Sequence, residues 1–353
     1  MPDQMPPTRS STQTITELDY SALVQMPQED ALRLVISSYQ DVGLQATQAG
    51  RARAVLQRTL ANKKRFPGNK VFLAYTSNLI SSGLRDTFAF LARERLVDAV
   101  VTTAGGVEED VIKCLGKTLV GNFSVDDAML RRNGINRVGN LFVPNDNYCS
   151  FEDFFVPVLE LLHKKQSASR WQTMTAPSDF IREMGAALDS MQRDARESSL
   201  VYWCYRNEIP IFCPALTDGS MGDMIYFYNF SKKGLLVDPI PDAVKLRRLG
   251  ACGENAPMCS IDTAVKDSAA HVTCIILGGG LPKHHLLRNV RARTVVCVAT
   301  GLEADGCESS CSFVDDKANE LIGEGCEVVR VHGDATIVLP IVLFGVGTLA
   351  SVQ

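Results

Sequence analysis

Two adjacent carboxylates, Glu108 and Glu109, follow Gly105-Gly106 at an expected helix start. Such a pair can recognise ribose hydroxyls or amines. It can equally complement the positive end of a helix dipole, at about 0.3–1 kcal/mol per residue. A second polar group, Asp218, Ser220 and Asp223, lies in "TDGSMGD", where an N-cap plus one exposed carboxylate would account for it as well. His284 and His285 open a helix after three glycines, and a histidine pair at a Gly-rich strand end suits a ligand better than a core. Cys307 and Cys311 have the spacing of half a metal site, but no second pair follows, which argues against zinc. Gly345-Val-Gly-Thr-Leu-Ala350 fits the letters of a dinucleotide fingerprint. It lies inside the last helix with no later strand or acidic residue, so it is rejected.

The elements that must position these groups alternate in type. "KVFLAYT", "LVDAVVTTA", "IPIFCPAL", "HVTCIIL", "RTVVCVAT" and "EVVRVHG" read as strands, most of them followed by a helical stretch. Helices are expected from about Ser81, from Val107, after "TDGS" and after the glycines before His284. That rhythm predicts an α/β fold, a Rossmann-like parallel sheet with helices on both faces. Ligands of such sheets bind beyond the carboxyl ends of the strands. Those ends carry "TSNLISSG", "TTAGGVEED", "TDGSMGD", "LGGGLPKHH", "ATGLEADG" and "HGDA", rich in residues that cap helices or let a backbone approach phosphate. One such turn is only structure, whereas six in corresponding places predict a nucleotide crevice.

Composition narrows the function classes. The 353 residues are 46% hydrophobic and 22% charged, with 36 basic against 40 acidic side chains and a net charge of −4. No Lys/Arg cluster marks a nucleic-acid footprint, so none is expected as a partner. A membrane is not expected either, because "TIVLPIVLFGVGTLA" is short and carries a proline, and reads as a buried core helix. Eleven scattered cysteines suggest free thiols in a reducing compartment. With no apolar signal segment at the start, the expected location is cytoplasmic. The expected organisation is a mobile arm over 1–16, an N-terminal helical extension over 17–66 with a break near Gly43, and a single α/β domain carrying the nucleotide crevice over 67–353.

In unbroken order, "YTSNLISSGLRDT", "VDAVVTTAGGVEEDVIKCLG", "NGINRVGNLFVPNDNYCSFEDF", "PALTDGSMGDM" and "IILGGGLPKHH" strongly resemble the deoxyhypusine synthase family. The likeness runs from "GLQATQAGRA" to "HGDATIVLP", most of the chain. It implies a tetramer with active sites at dimer interfaces. It also implies a reaction in which NAD oxidises spermidine and the aminobutyl group moves to an enzyme lysine, then to a lysine of a translation factor precursor. The family's cofactor positions carry over to Ser77, Asn78, Leu79, Ile80, Ser81, Thr103, Ala104, Gly105, Glu109, Asp218, Thr300, Asp334 and Ala335, with Gly301 where the family usually has alanine. On the polyamine side Glu108, Asp223, Gly279 and His284 match.

The resemblance fails at one segment. The family's nucleophilic lysine stands thirteen residues before the Asp of the "DA" pair, and that count back from Asp334 lands on Leu321. The tryptophan position becomes Asn319 and the acidic one Asp315. Glu308 replaces an aspartate and Arg288 an asparagine. An imine needs a primary amine, and leucine has none. The resemblance therefore implies a regulatory, catalytically dead subunit, paired in a heterotetramer with an active paralogue and supplying its NAD-binding half-site. Two other readings stay open. One is an autonomous synthase using Lys317, four residues before Leu321 on a shared helix face. The other is an NAD-binding scaffold with no synthase partner.

Overall fold

The computed structural model describes residues 15–66, 68–250, 271–323 and 325–346. The expected arm falls outside them except for its last two residues, as does most of the rejected fingerprint. The strands are β1 (Lys70–Tyr75), β2 (Ala99–Val101), β3 (Leu119–Val120), β4 (Ile135–Val138), β5 (Leu141–Pro144), β6 (Ile211–Phe212), β7 (Val272–Leu277), β8 (Thr294–Ala299) and β9 (Glu327–His332). Helices framing the sheet are α1 (Gln28–Val42), α2 (Leu44–Arg65), α3 (Asn78–Ser81), α4 (Arg85–Arg93), α5 (Ala104–Leu115) and α6 (Asn145–Ala168). Further along come α7 (Leu200–Arg206), α8 (Ser220–Ser231), α9 (Ile240–Gly250), α10 (Gly280–Asn289), α11 (Val314–Ala318) and α12 (Ala335–Leu343).

Six strands form one parallel sheet in the order β6-β2-β1-β7-β8-β9. Successive side chains of a strand face opposite sides, and β1 shows the result. Val71, Leu73 and Tyr75 join a core with α2, α4, α5 and α6, while Phe72 and Ala74 join a second core with α9 and α10. Both faces are therefore covered, as the unbroken apolar runs of the strands require. The α2 residues Ala52, Val55 and Leu56 belong to the first of these cores, so α2 is a covering layer of the sheet. Gly43 separates α1 from α2, where the break was expected.

Two features differ from expectation. Strands β3, β5 and β4 form a small antiparallel sheet, absent from the strand–helix reading. Its sequence signal is Gly139-Asn140, a two-residue hairpin connection with Gly139 at φ +61°, a conformation that favours glycine. The C-terminal apolar stretch forms α12, but only one side of it is buried. Ala335, Leu339 and Val342 are inside, while Ile337 is 67% exposed. No helix among the described residues is long and apolar enough to cross a membrane.

Candidate functional site

Strand order reverses between β1 and β7, since β1, β2 and β6 run outward one way and β7, β8 and β9 the other. A crevice opens at such a point. Because all six strands are parallel, the turns that follow them lie at that same end of the sheet. Thr76 N–H donates to the Leu277 carbonyl at 3.1 Å, tying the "TSN" turn to the end of β7. Ser77 and Asn78 begin α3, and Thr103, Ala104 and Gly105 begin α5. Leu79, Ile80 and Ser81 are buried, so Leu79 and Ile80 contribute packing rather than ligand-facing side chains. Thr300 and Gly301 follow β8, and Asp334 caps α12 by accepting from Thr336 N–H at 2.8 Å.

The expected start of α5 at Val107 is corrected to Ala104. Gly105 and Gly106 lie within the first turn, and Glu108 and Glu109 stand beyond it. Neither carboxylate therefore complements that dipole. Glu108 instead reaches across to α8, accepting from the N–H groups of Ser220 at 3.2 Å and Met221 at 2.9 Å. It is the cap of a helix whose own preceding residue, Gly219, offers no side chain. Asp218 and Asp223 do not make that cap and are exposed beside it. Burial pushes the Glu108 carboxyl above the usual carboxylate range, against the two N–H groups.

Glu109 is also buried. One oxygen accepts from the Tyr148 hydroxyl at 2.8 Å, and the other has no hydrogen-bond partner. Burial raises this carboxyl too, opposed by Tyr148 and by Lys113. Lys113 donates to the carbonyls of Ile80 at 2.9 Å and Ser82 at 2.7 Å, clamping the end of α3. Its burial, aided by Arg85, pulls the ammonium down to about 8. Asp110, fully buried, pairs with Arg85 at 2.7 Å and accepts from Ser199 Oγ and from Leu200 and Val201 N–H, capping α7. Tyr148, Lys113 and Asp110 were not singled out by sequence reasoning, although all three lie in the quoted family segments.

On the other side of the crevice a loop over 306–312 leans on the sheet edge. Gly280 N–H donates to the Glu308 carbonyl at 2.7 Å. A Cβ on Gly301 would collide with the Ser309 carbonyl, so alanine at 301 would displace that loop. His284 Nδ1 lies 2.9 Å from Glu308 Oε1, off the line of a hydrogen bond. The loop is held from beneath by Lys283, fully buried, which donates to the carbonyls of Cys307, Ser310 (3.0 Å) and Ser312 (2.9 Å). It also lies 3.5 Å from Asp316. Nothing in the sequence reading singled out Lys283.

The lysine segment does not form the helix expected of it. α11 ends at Ala318, and Glu320 takes φ +57°. Lys317 and Leu321 therefore share no helix face, and the geometric basis of the Lys317 reading is lost. Asp315 and Asn319 are exposed, as is Arg288 at the end of α10. Leu321 is half-buried and packs against the second hydrophobic core.

The residues present fit a dinucleotide. The crevice offers the starts of α3, α5 and α12, and the unpartnered buried oxygen of Glu109 calls for a hydroxyl or amine donor. The deoxyhypusine synthase family pattern matches residues 34–346. This chain belongs to the deoxyhypusine synthase family. It is 61% identical over 332 residues to the deoxyhypusine synthase regulatory subunit of Trypanosoma brucei brucei, covering 94% of this chain and 93% of that one. To the inactive deoxyhypusine synthase of Leishmania donovani it is 58% identical over 335 residues, covering 95% and 84%. The fold matches a crystal structure described as a candidate deoxyhypusine synthase from Entamoeba histolytica. The TM-score there is 0.62 at 23% identity, covering 93% of this chain and 95% of that one.

Proposed function

We propose that this chain is a non-catalytic subunit of a heteromeric deoxyhypusine synthase, lending an NAD-binding half-site to an active paralogue. The observation that carries this is Leu321. The position expected to hold the nucleophilic amine is a half-buried hydrocarbon packed against the core, whereas the cofactor positions keep their polar groups. The names of the two relatives, a regulatory subunit and an inactive synthase, support the same reading. Bound NAD would supply the hydride acceptor for polyamine oxidation. Ser77, Thr103, Asp218, Thr300 and Asp334 would hold it, and Glu109 would take a ribose hydroxyl on its free oxygen. The translation factor precursor would meet the complex through the partner's lysine.

A partner surface is available beside the half-site. Asp223, Tyr226, Phe227 and Phe230 recur at the spacing of one helix face on α8, and the three aromatics are 63, 65 and 78% exposed. Exposed aromatics in such a row fit a face covered by another subunit. The test is purification of this chain alone and with the active paralogue, with mass and deoxyhypusine formation measured for each. The chain alone should make no deoxyhypusine, and borohydride should trap no aminobutyl adduct on it. In the heteromer, Asp218→Ala here should lower activity roughly ten- to a hundred-fold, the cost of one charged hydrogen bond. The matching change in the partner should matter much less. Equal harm from both would refute the half-site, and an adduct on Lys317 would reinstate the autonomous enzyme.

A further inference from the structure

A cavity of about 440 Å³ lies on the outer edge of the sheet, bounded by α2, by β9 and by the turns after β8. Gln45, Gln48 and Arg51 enter it from successive turns of α2. Val328, Arg330 and His332 enter from alternate positions of β9, hence from one face of that strand. The polar ends in it are mainly donors. Gln45 Oε1 already accepts from His332 N–H at 2.9 Å, which leaves its NH₂ group as the uncommitted end. His332 Nε2 meets the Thr300 carbonyl at 3.0 Å, so its proton sits on that nitrogen.

The side chains of Arg51 and Arg330 make no hydrogen bond or ion pair with any described residue. Two turns further along α2 the same helix and strand make the opposite arrangement, with Arg58 bonded to Glu327 at 2.6 Å. Glu303 is the one carboxylate on the cavity wall, and it pairs with neither arginine. Two guanidinium groups that share a cavity with no carboxylate paired to either repel each other, and an anion between them reverses the sign. The planar forks of guanidinium match the oxygens of phosphate in pairs. The volume suits a small molecule.

We propose that this cavity is a second binding site, for a small phosphate-bearing anion, at the outer edge of β9. Arg51 and Arg330 clamp the phosphate oxygens, and the Gln45 amide adds a third donor. Because His332 holds Thr300, and Gly301 is part of the cavity wall, the bound anion touches the turn that borders the cofactor crevice. The site stands whether or not the crevice holds NAD.

The test is calorimetric titration of the full chain with inorganic pyrophosphate, with inorganic phosphate and citrate as comparison arms. Saturable pyrophosphate binding is expected, weakened about ten-fold by Arg51→Gln or by Arg330→Gln, the lower end of what one charged contact contributes. Arg58→Gln, a similar charge already paired, should leave it unchanged. Preference for citrate over both phosphates would overturn the phosphate assignment. Absence of saturable binding, or equal loss in all three arginine variants, would overturn the site. Titration in the presence of NAD separates this cavity from the crevice. Unchanged pyrophosphate affinity supports two sites, and competition merges them into one. Failure of NAD itself to bind would count against the proposed cofactor role alone.

Discussion

The two halves of the crevice are built differently. On the side of β1, β2 and β6, consecutive acidic residues of α5 each serve a separate buried purpose. Glu108 caps α8, Glu109 meets Tyr148, and Asp110 caps α7 while pairing with Arg85. On the side of β8 and β9, the segment over 313–323 has a five-residue helix, two exposed acids in Asp315 and Glu320, and a half-buried leucine packed against the second core. Its anchor is one amine, Lys283. In the first half a change at Glu108 or Asp110 removes a helix cap, so these residues are tied to the fold itself. In the second half Leu321 and Asn319, where the resemblance implies lysine and tryptophan, carry no such load, so either position can change with little harm to the fold.

The contrast breaks most sharply at Asp110. Replacing it by alanine strands the Arg85 guanidinium and three donors at the start of α7, and removing one partner of a buried pair costs about 3–5 kcal/mol. Urea unfolding should show that loss. A change below about 1 kcal/mol would mean that the framework is looser than its hydrogen bonds suggest. Lys283→Met tests the other half. It takes the ammonium away from the Cys307 and Ser310 carbonyls and leaves the Ser312 carbonyl and Asp316 to share the Cys307 thiol, at about 1–3 kcal/mol for the buried groups it orphans. Hydrogen exchange should quicken over 305–323 while α3 and α5 stay protected. Uniform loss of protection would show that the two halves do not unfold separately.

Much of this architecture was legible beforehand, and the boundary of what was legible has physical reasons. β1, β7, β8 and β9 are β-branched, apolar runs whose ends carry turn residues, and local pattern suffices for them. The placement of Ser77, Thr103, Asp218, Thr300 and Asp334 at strand ends followed from the same pattern. Glu108 was open to two local readings, a first-turn dipole partner or a ligand contact. Its actual partners lie 112 and 113 residues away, beyond the reach of any spacing rule. Lys283 was missed because a lysine is almost never buried, and only the fold shows the carbonyls that make burial tolerable. The two- and four-residue strands of the small sheet are too short for periodicity, and only Gly139-Asn140 betrayed them.

Glu109 sharpens the comparison through pH. Its folded-state pKa is raised by burial, so the folded chain keeps a proton that the unfolded chain has released. Its favourable contribution is full below the ordinary glutamate pKa and is lost as pH rises through the folded value. Glu109→Gln keeps an acceptor for Tyr148 and removes the buried charge. The variant should be the more stable near pH 7.5, with the gain vanishing toward pH 4. The same variant should bind NAD more weakly. Thermal unfolding across pH, read beside NAD titration, separates the two effects, and a variant equally stable at every pH would remove the strain assigned to this carboxylate.

Leu321→Lys is the mildest change to the fold and the sharpest test of the decayed half. Leu321 is only half-buried, so a lysine can direct its ammonium outward along the surface, at a cost below about 1.5 kcal/mol. Stability should barely move. Activity of the isolated chain should not return, because an amine reacts only when held against its substrate in near-attack geometry. Here the preceding residue turns the chain at φ +57°, the aromatic position is an exposed Asn319, and the side chain at 321 packs toward the core. Arg288, exposed at the end of α10, puts a cation where the resemblance implies an asparagine of the polyamine side. Borohydride trapping and deoxyhypusine formation should both remain at background. If the single substitution brought back near-normal turnover, Asn319, Asp315, Glu308 and Arg288 would be neutral changes, and the loss of activity would reside in one side chain.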